Sequence, residues 1–170
     1  MSAMASIQKQ LVTSGAEVKW ESPEKFHITL KFLGDTDVSL IPEITDQLRK
    51  SIGSSPAVEL AYVKLGGFPN VDRPRVVWIG PSENLQILRL QSQVEQVCTS
   101  FGFATDDRPF HAHITLGRVK GNPHLERLTA SLKSITFEPL LARCIEVHFV
   151  RSELRPTGSI YTVLNSISLA

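Results

Sequence analysis

Phe26-His27-Ile28-Thr29-Leu30-Lys31-Phe32-Leu33, closed by Gly34-Asp35, is the stretch on which the reading of this chain turns. Its alternation and its terminal turn signal predict a strand. On a strand, residues i and i+2 share a face. His27 and Thr29 then stand side by side, while Ile28 and Leu30 point into a core behind them. The same four residues return as His113-Ile114-Thr115-Leu116, inside a second predicted strand from His111 to Val119. With 5 His and 11 Thr in 170 residues, chance supplies about 0.3 His-x-Thr matches. Two matches that agree at all four positions exceed what composition accounts for.

Working outward, helices alternate with strands. Ile7, Leu11 and Val12 suggest a first helix ending near Ser14-Gly15. Leu40, Ile41, Ile44 and Leu48 recur at helical spacing before Gly53. Val58 to Leu65 alternates as a strand, and the short apolar run Val76 to Ile79 predicts a strand buried on both faces. Leu85, Leu88, Val94, Val97, Cys98 and Phe101 mark a long helix, and Leu125, Leu128 and Leu132 another. Ile145, Val147 and Phe149 alternate with polar residues, and Ile160 to Leu164 closes the chain's strands. This mixed order predicts an α+β fold with helices on antiparallel sheets.

The composition narrows the function. The length fits one domain or two small lobes. Basic residues number 18 and acidic ones 17, so an extended footprint on duplex nucleic acid is not indicated; a compact substrate or a nucleic-acid end is compatible with that balance. No apolar run is long enough to cross a bilayer and no secretory signal opens the chain, so no membrane partner is expected. Two cysteines, Cys98 and Cys144, make neither a disulfide framework nor a zinc set, and a cytoplasmic setting is expected.

Two imidazoles and two hydroxyls brought together suit acid–base chemistry on a phosphate. A neutral imidazole takes a proton from the nucleophile and an imidazolium gives one to the leaving oxygen. Threonine hydroxyls donate hydrogen bonds to non-bridging oxygens. Taken singly, either motif reads as an ordinary surface or core histidine; the pair carries the inference. No metal is expected, because no acidic or cysteine cluster completes a shell around His111 and His113.

These residues resemble the 2H phosphoesterase superfamily, and most closely its LigT-like branch, the RNA 2′,3′-cyclic phosphodiesterases once called 2′-5′ RNA ligases. The resemblance runs through Trp20 to Gly34, Gly67-Phe68-Pro69, Arg75-Val76-Val77-Trp78, His113 to Arg118, and Ser152-Glu153-Leu154 with Gly158 and Tyr161. It departs at Phe110-His111-Ala112-His113, where the family has Phe-Arg-Pro-His. It departs also at the start, where the family's opening Arg-Leu-Phe-Ile-Ala-type strand has no counterpart. The resemblance implies a single bilobal domain over residues 1–170, with pseudo-symmetric lobes of antiparallel sheet backed by helices and an active-site cleft between them. It implies hydrolysis of RNA 2′,3′-cyclic phosphate ends to 2′-phosphates without metal or other cofactor, by His27, His113, Thr29 and Thr115, with Arg118 as a phosphate contact and 2′-5′ ligation as a reverse reaction. The partners implied are RNA 3′ ends or cyclic-phosphate nucleotides, acted on by a monomer.

The competing readings are a related substrate, such as ADP-ribose 1″,2″-cyclic phosphate or 2′-5′ oligonucleotides, and a non-catalytic nucleotide- or RNA-binding module. Lys31 and His111 are in phase with the motifs and are candidates for the same face, or equally for solvated rim. His124 and His148 read as surface, and Trp78 and Tyr161 as packing or base-stacking residues.

Overall fold

The computed structural model describes residues 2–155 and 158–170. Its elements are α1 (Ser2–Val12), β1 (Val18–Trp20), α2 (Ile41–Ile52), β2 (Val58–Phe68), β3 (Val76–Pro81), α3 (Leu85–Ser100), β4 (Ile114–Val119), α4 (Leu125–Ser134), β5 (Leu140–Cys144), β6 (Glu146–Arg155) and β7 (Gly158–Ser168). The α+β expectation is met. One sheet has the order β1-β4-β3-β2-β5 and a second pairs β6 with β7. The chain divides into two compact units, Met1–Thr29, Leu60–Glu83 and Ala112–Ala142 in the first, and Leu30–Glu59, Asn84–His111 and Arg143–Ala170 in the second.

In the first unit, β4 lies between β1 and β3 and pairs antiparallel with both. Val77, Ile79, Ile114 and Leu116 are buried, as are Ile7 and Leu11 of α1 and Leu128 and Leu132 of α4. The amide of Gln8, itself buried, donates to the carbonyls of Leu116 at 2.9 Å and Glu21 at 2.7 Å. That side chain ties α1 to β4 and to the segment leading into the first motif. In the second unit, Ile44, Leu48 and Ile52 of α2 and Ile87, Leu90, Val94 and Cys98 of α3 are buried at helical spacing. Asn84 caps α3, its Oδ1 accepting from the backbone of Gln86 and Ile87 at 2.9 and 3.0 Å.

Two strand expectations need correction. Phe26–Leu33 is not a strand; only Ile28 makes a bridge, to Ile114. The physical reason lies upstream. Glu21 still donates to Leu116 in line with β1, but Pro23–Lys25 then turns as a 3-10 helix, with Pro23 at its start. The chain returns to β4 for a single residue and leaves again. Likewise the ladder of β4 begins at Ile114, so His111 to His113 precede it. The short strands β1 and β5, by contrast, carry too few residues for alternation to announce them.

Candidate active site

Both His-x-Thr motifs lie in the first unit, and their middle residues touch through the antiparallel bridge of Ile28 and Ile114. Neighbours cross at such a bridge. His27 therefore stands opposite Thr115, and Thr29 opposite His113. Ile114 is buried, and the four motif side chains take the opposite face, with His27 and Thr29 exposed and His113 and Thr115 half-buried. One bridge sets the two motifs side by side without a strand at the first of them.

His27 is oriented locally. Its Nδ1 lies 2.6 Å from the carbonyl of Lys25, the last residue of the 3-10 turn. A carbonyl only accepts, so Nδ1 carries the proton and the neutral ring's lone pair falls on Nε2. The turn that breaks the predicted strand is thus what fixes the tautomer. Among the described residues, neither the Thr29 nor the Thr115 hydroxyl has a protein hydrogen-bond partner. Both are left to donate to a substrate oxygen.

Arg118 reaches this face by a bulge. Five residues separate it from His113, which on a regular strand would put the two on opposite sides. The register of β3 and β4 pairs Trp78 with Thr115, Val77 with Gly117 and Val76 with Arg118, so β4 carries one extra residue at Leu116. Directly opposite side chains share a face. Arg118 therefore sides with Val76 and Trp78, and so with Thr115. It is exposed and, among the described residues, forms no ion pair. On the other strand neighbouring β4, Lys19 is its partner and stands on that face too.

Aromatic rings support His113. Phe68 meets it edge-on, with centroids 4.9 Å apart and planes at 84°. Trp78 lies 6.3 Å from His113 and 5.3 Å from Phe68. Trp78 is 7% exposed, so it packs and offers no face for a base. Its ring fits only because Gly66 and Gly80 flank it: a Cβ on Gly66 would run into the indole, and one on Gly80 would sit 2.8 Å from Cζ3. Neither the bulge nor the two glycines under Trp78 was predicted, although Gly66-Gly67 inside a strand is a signal of close approach. Gly66→Val is expected to unseat Trp78 at a cost of about 1–3 kcal/mol in overpacking. Thermal unfolding should report the loss, and turnover should fall because the ring beneath His113 moves.

The remaining candidates stand elsewhere. Lys31 is no rim charge. Its side chain is 5% exposed and its ammonium binds Glu95 at 2.6 Å and the Ala104 carbonyl at 2.5 Å. Within the second unit it ties the segment after the first motif to α3 and to the loop that leads toward the second. His111 is exposed in the segment before β4, His124 is exposed at the start of α4, and His148 pairs with Glu146 at 2.9 Å on the surface. Tyr161 is half-buried on β7, opposite Ser152. Cys98 and Cys144 are free thiols, and burial pushes both above the usual thiol range, away from thiolate nucleophile chemistry. Among the described residues no three His, Cys, Asp or Glu side chains are grouped to hold a metal ion, and no helix is long and apolar enough to cross a membrane.

The comparisons with known proteins assign the chain to a class. A model of the 2′-5′ RNA ligase superfamily matches residues 18–156. A protein of Aeropyrum pernix named RNA 2′,3′-cyclic phosphodiesterase is 33% identical over 171 residues, covering 98% of this chain and 95% of its own. A protein of Thermotoga maritima with the same name is 31% identical, covering 94% and 84%. Among solved structures, TT0787 of Thermus thermophilus has a TM-score of 0.79 at 25% identity, over 98% of this chain and 90% of that one. E. coli LigT complexed with 3′-AMP shares the fold, with a TM-score of 0.73 at 21% identity over 97% and 92%. The chain belongs to the 2′-5′ RNA ligase superfamily.

Proposed function

We propose that this chain hydrolyses RNA 2′,3′-cyclic phosphate ends to 2′-phosphates, with His27, Thr29, His113 and Thr115 as the catalytic groups. The observation that carries the reading is the Ile28–Ile114 bridge, which sets each histidine across from the other motif's threonine. The names of the relatives supply the substrate class. Water attacks phosphorus as one neutral imidazole takes its proton. The bond to the 3′-oxygen breaks as the other imidazole, protonated, gives that oxygen its proton. The two rings end with their protonation states exchanged, and solvent resets them. Thr29 and Thr115 donate to the non-bridging oxygens, and Arg118 meets the charge that grows there. The superfamily's description favours one further reaction of the same site. An RNA 5′-hydroxyl in place of water gives a 2′-5′ linkage by the same two proton transfers.

The test uses an RNA oligonucleotide ending in a 2′,3′-cyclic phosphate, assayed with and without EDTA. The product should be the 2′-phosphate, identified against authentic 2′- and 3′-phosphate standards, and the rate should match that without chelator. The two imidazoles already supply both proton transfers, which is why no metal is invoked. A 3′-phosphate product would reverse the assignment of the leaving oxygen. Loss of activity in EDTA, restored by a divalent ion, would replace the mechanism with a metal-bound hydroxide.

A further inference from the structure

A second cationic site lies in the first unit, away from the motifs. A cavity of about 520 Å³ has Arg73, Arg75, Val119, Lys120, Asn122 and Leu125 in its lining. It contains three cations. Among the described residues, none of Arg73, Arg75 and Lys120 forms an ion pair. Asp72, next to Arg73 in sequence, is taken by Lys133 at 2.5 Å, and the Glu17 carboxylate lies against Gly121 at the edge. In a chain with a formal charge of only +1, such a grouping is a local feature and no part of a generally basic surface.

Its position relative to the motifs gives it meaning. Lys120 donates its backbone N–H to Glu17, which continues the β1–β4 ladder by one step beyond Val18 and Val119. Lys120 is therefore in phase with Arg118, and the bulge puts Arg118 in phase with Thr115. Thr115, Arg118 and Lys120 form a line along one face of β4; Arg75 lies directly opposite Val119 and leaves the sheet by the other face, so it meets Lys120 only where both line the cavity at the strand ends. At about 3.4 Å per residue, and with the bulged residue adding no length, Thr115 and Lys120 are roughly 14 Å apart. That is too far for one cyclic phosphate to touch both, and it is within reach of a single strand a few nucleotides long.

We propose that Arg73, Arg75 and Lys120 bind a backbone phosphate of the RNA strand, a few nucleotides away from the reacting end. Guanidinium forks suit phosphate oxygens, and the ammonium adds a point charge. The inference rests on the reading of the motifs as the site for a cyclic-phosphate end, and it adds what that reading lacks: a reason for the enzyme to prefer a strand over a mononucleotide.

The experiment compares a mononucleoside 2′,3′-cyclic phosphate with a hexanucleotide carrying the same end, using wild type and the triple variant Arg73→Gln, Arg75→Gln, Lys120→Gln. Wild type should have a kcat/KM on the order of 10-fold or more higher for the hexanucleotide, mainly through KM. The triple variant should lose that advantage and keep its rate on the mononucleotide. Its salt dependence should also flatten, because each lost contact to a single strand removes about 0.7 from the slope of log kcat/KM against log salt. All three side chains are exposed, so the variant should fold. Equal efficiency on both substrates in wild type, or an unchanged advantage in the variant, overturns the proposal. Should wild type turn over neither substrate, the function proposed above fails on its own, and fluorescence anisotropy with a labelled RNA hexamer decides this site. A fall in affinity of about 10-fold in the variant would support it, and equal affinity would overturn it.

Discussion

His27→Ala and His113→Ala are each expected to lower turnover of a 2′,3′-cyclic phosphate RNA end by at least about 10²-fold, the scale on which a positioned acid or base acts. The two side chains have different surroundings. His27 is exposed and held through Nδ1 by the Lys25 carbonyl, whereas His113 is half-buried against Phe68. Both losses should nevertheless be large, because one reaction cycle uses a proton acceptor and a proton donor. The double variant should be little worse than the poorer single one, since groups acting as a unit do not add. Steady-state kinetics, with circular dichroism to confirm folding, checks this. A single variant that keeps near wild-type turnover would show that its motif serves structure or binding only.

Arg118 gives the second large effect. A cyclic phosphodiester carries one negative charge, which concentrates on the non-bridging oxygens as water adds. A guanidinium on the same face as Thr115 can meet it with two parallel hydrogen bonds. The expected order of catalytic efficiency is wild type, then Arg118→Lys, then Arg118→Ala, with the alanine variant down by roughly 10- to 10³-fold. Lysine keeps the charge and loses the planar fork, so it rescues only in part. Folding should be unaffected because the side chain is exposed. Arg118→Ala with wild-type efficiency would leave the phosphate to Thr29, Thr115 and other donors. Deleting the extra residue at Leu116 is not an equivalent test, since Leu116 is fully buried.

Much of this was legible in the residues. The helices were, because burial at positions such as Ile44, Leu48 and Ile52 leaves a period in the sequence. The motif pair was, because identity at four positions in two places needs no structure to notice. What was hidden depends on contacts between distant residues. The alternation of Phe26–Leu33 predicts a strand, yet hydrogen-bond partners decide what forms, and β4 pairs with that segment only at Ile28. Lys31, in phase with His27 and Thr29, reads equally as a residue of the motif face or as solvated rim; its burial against Glu95, 64 residues away, leaves no local signal. The bulge is the same kind of feature. Counting residues from His113 puts Arg118 on the wrong face, and only the register against β3 corrects it. The candidate residues were therefore readable from residue types, while their placement relative to one another required the sheet.

The central claim is that His27 and His113 act in opposite protonation states on one phosphate, and the pH dependence of kcat/KM tests it most directly. Wild type should give a bell-shaped profile, because one imidazole must be neutral while the other is charged. The residual activity of each histidine variant should lose one limb, and a different one in each case. A wild-type profile that only rises toward pH 9, or two variants that lose the same limb, would contradict the account.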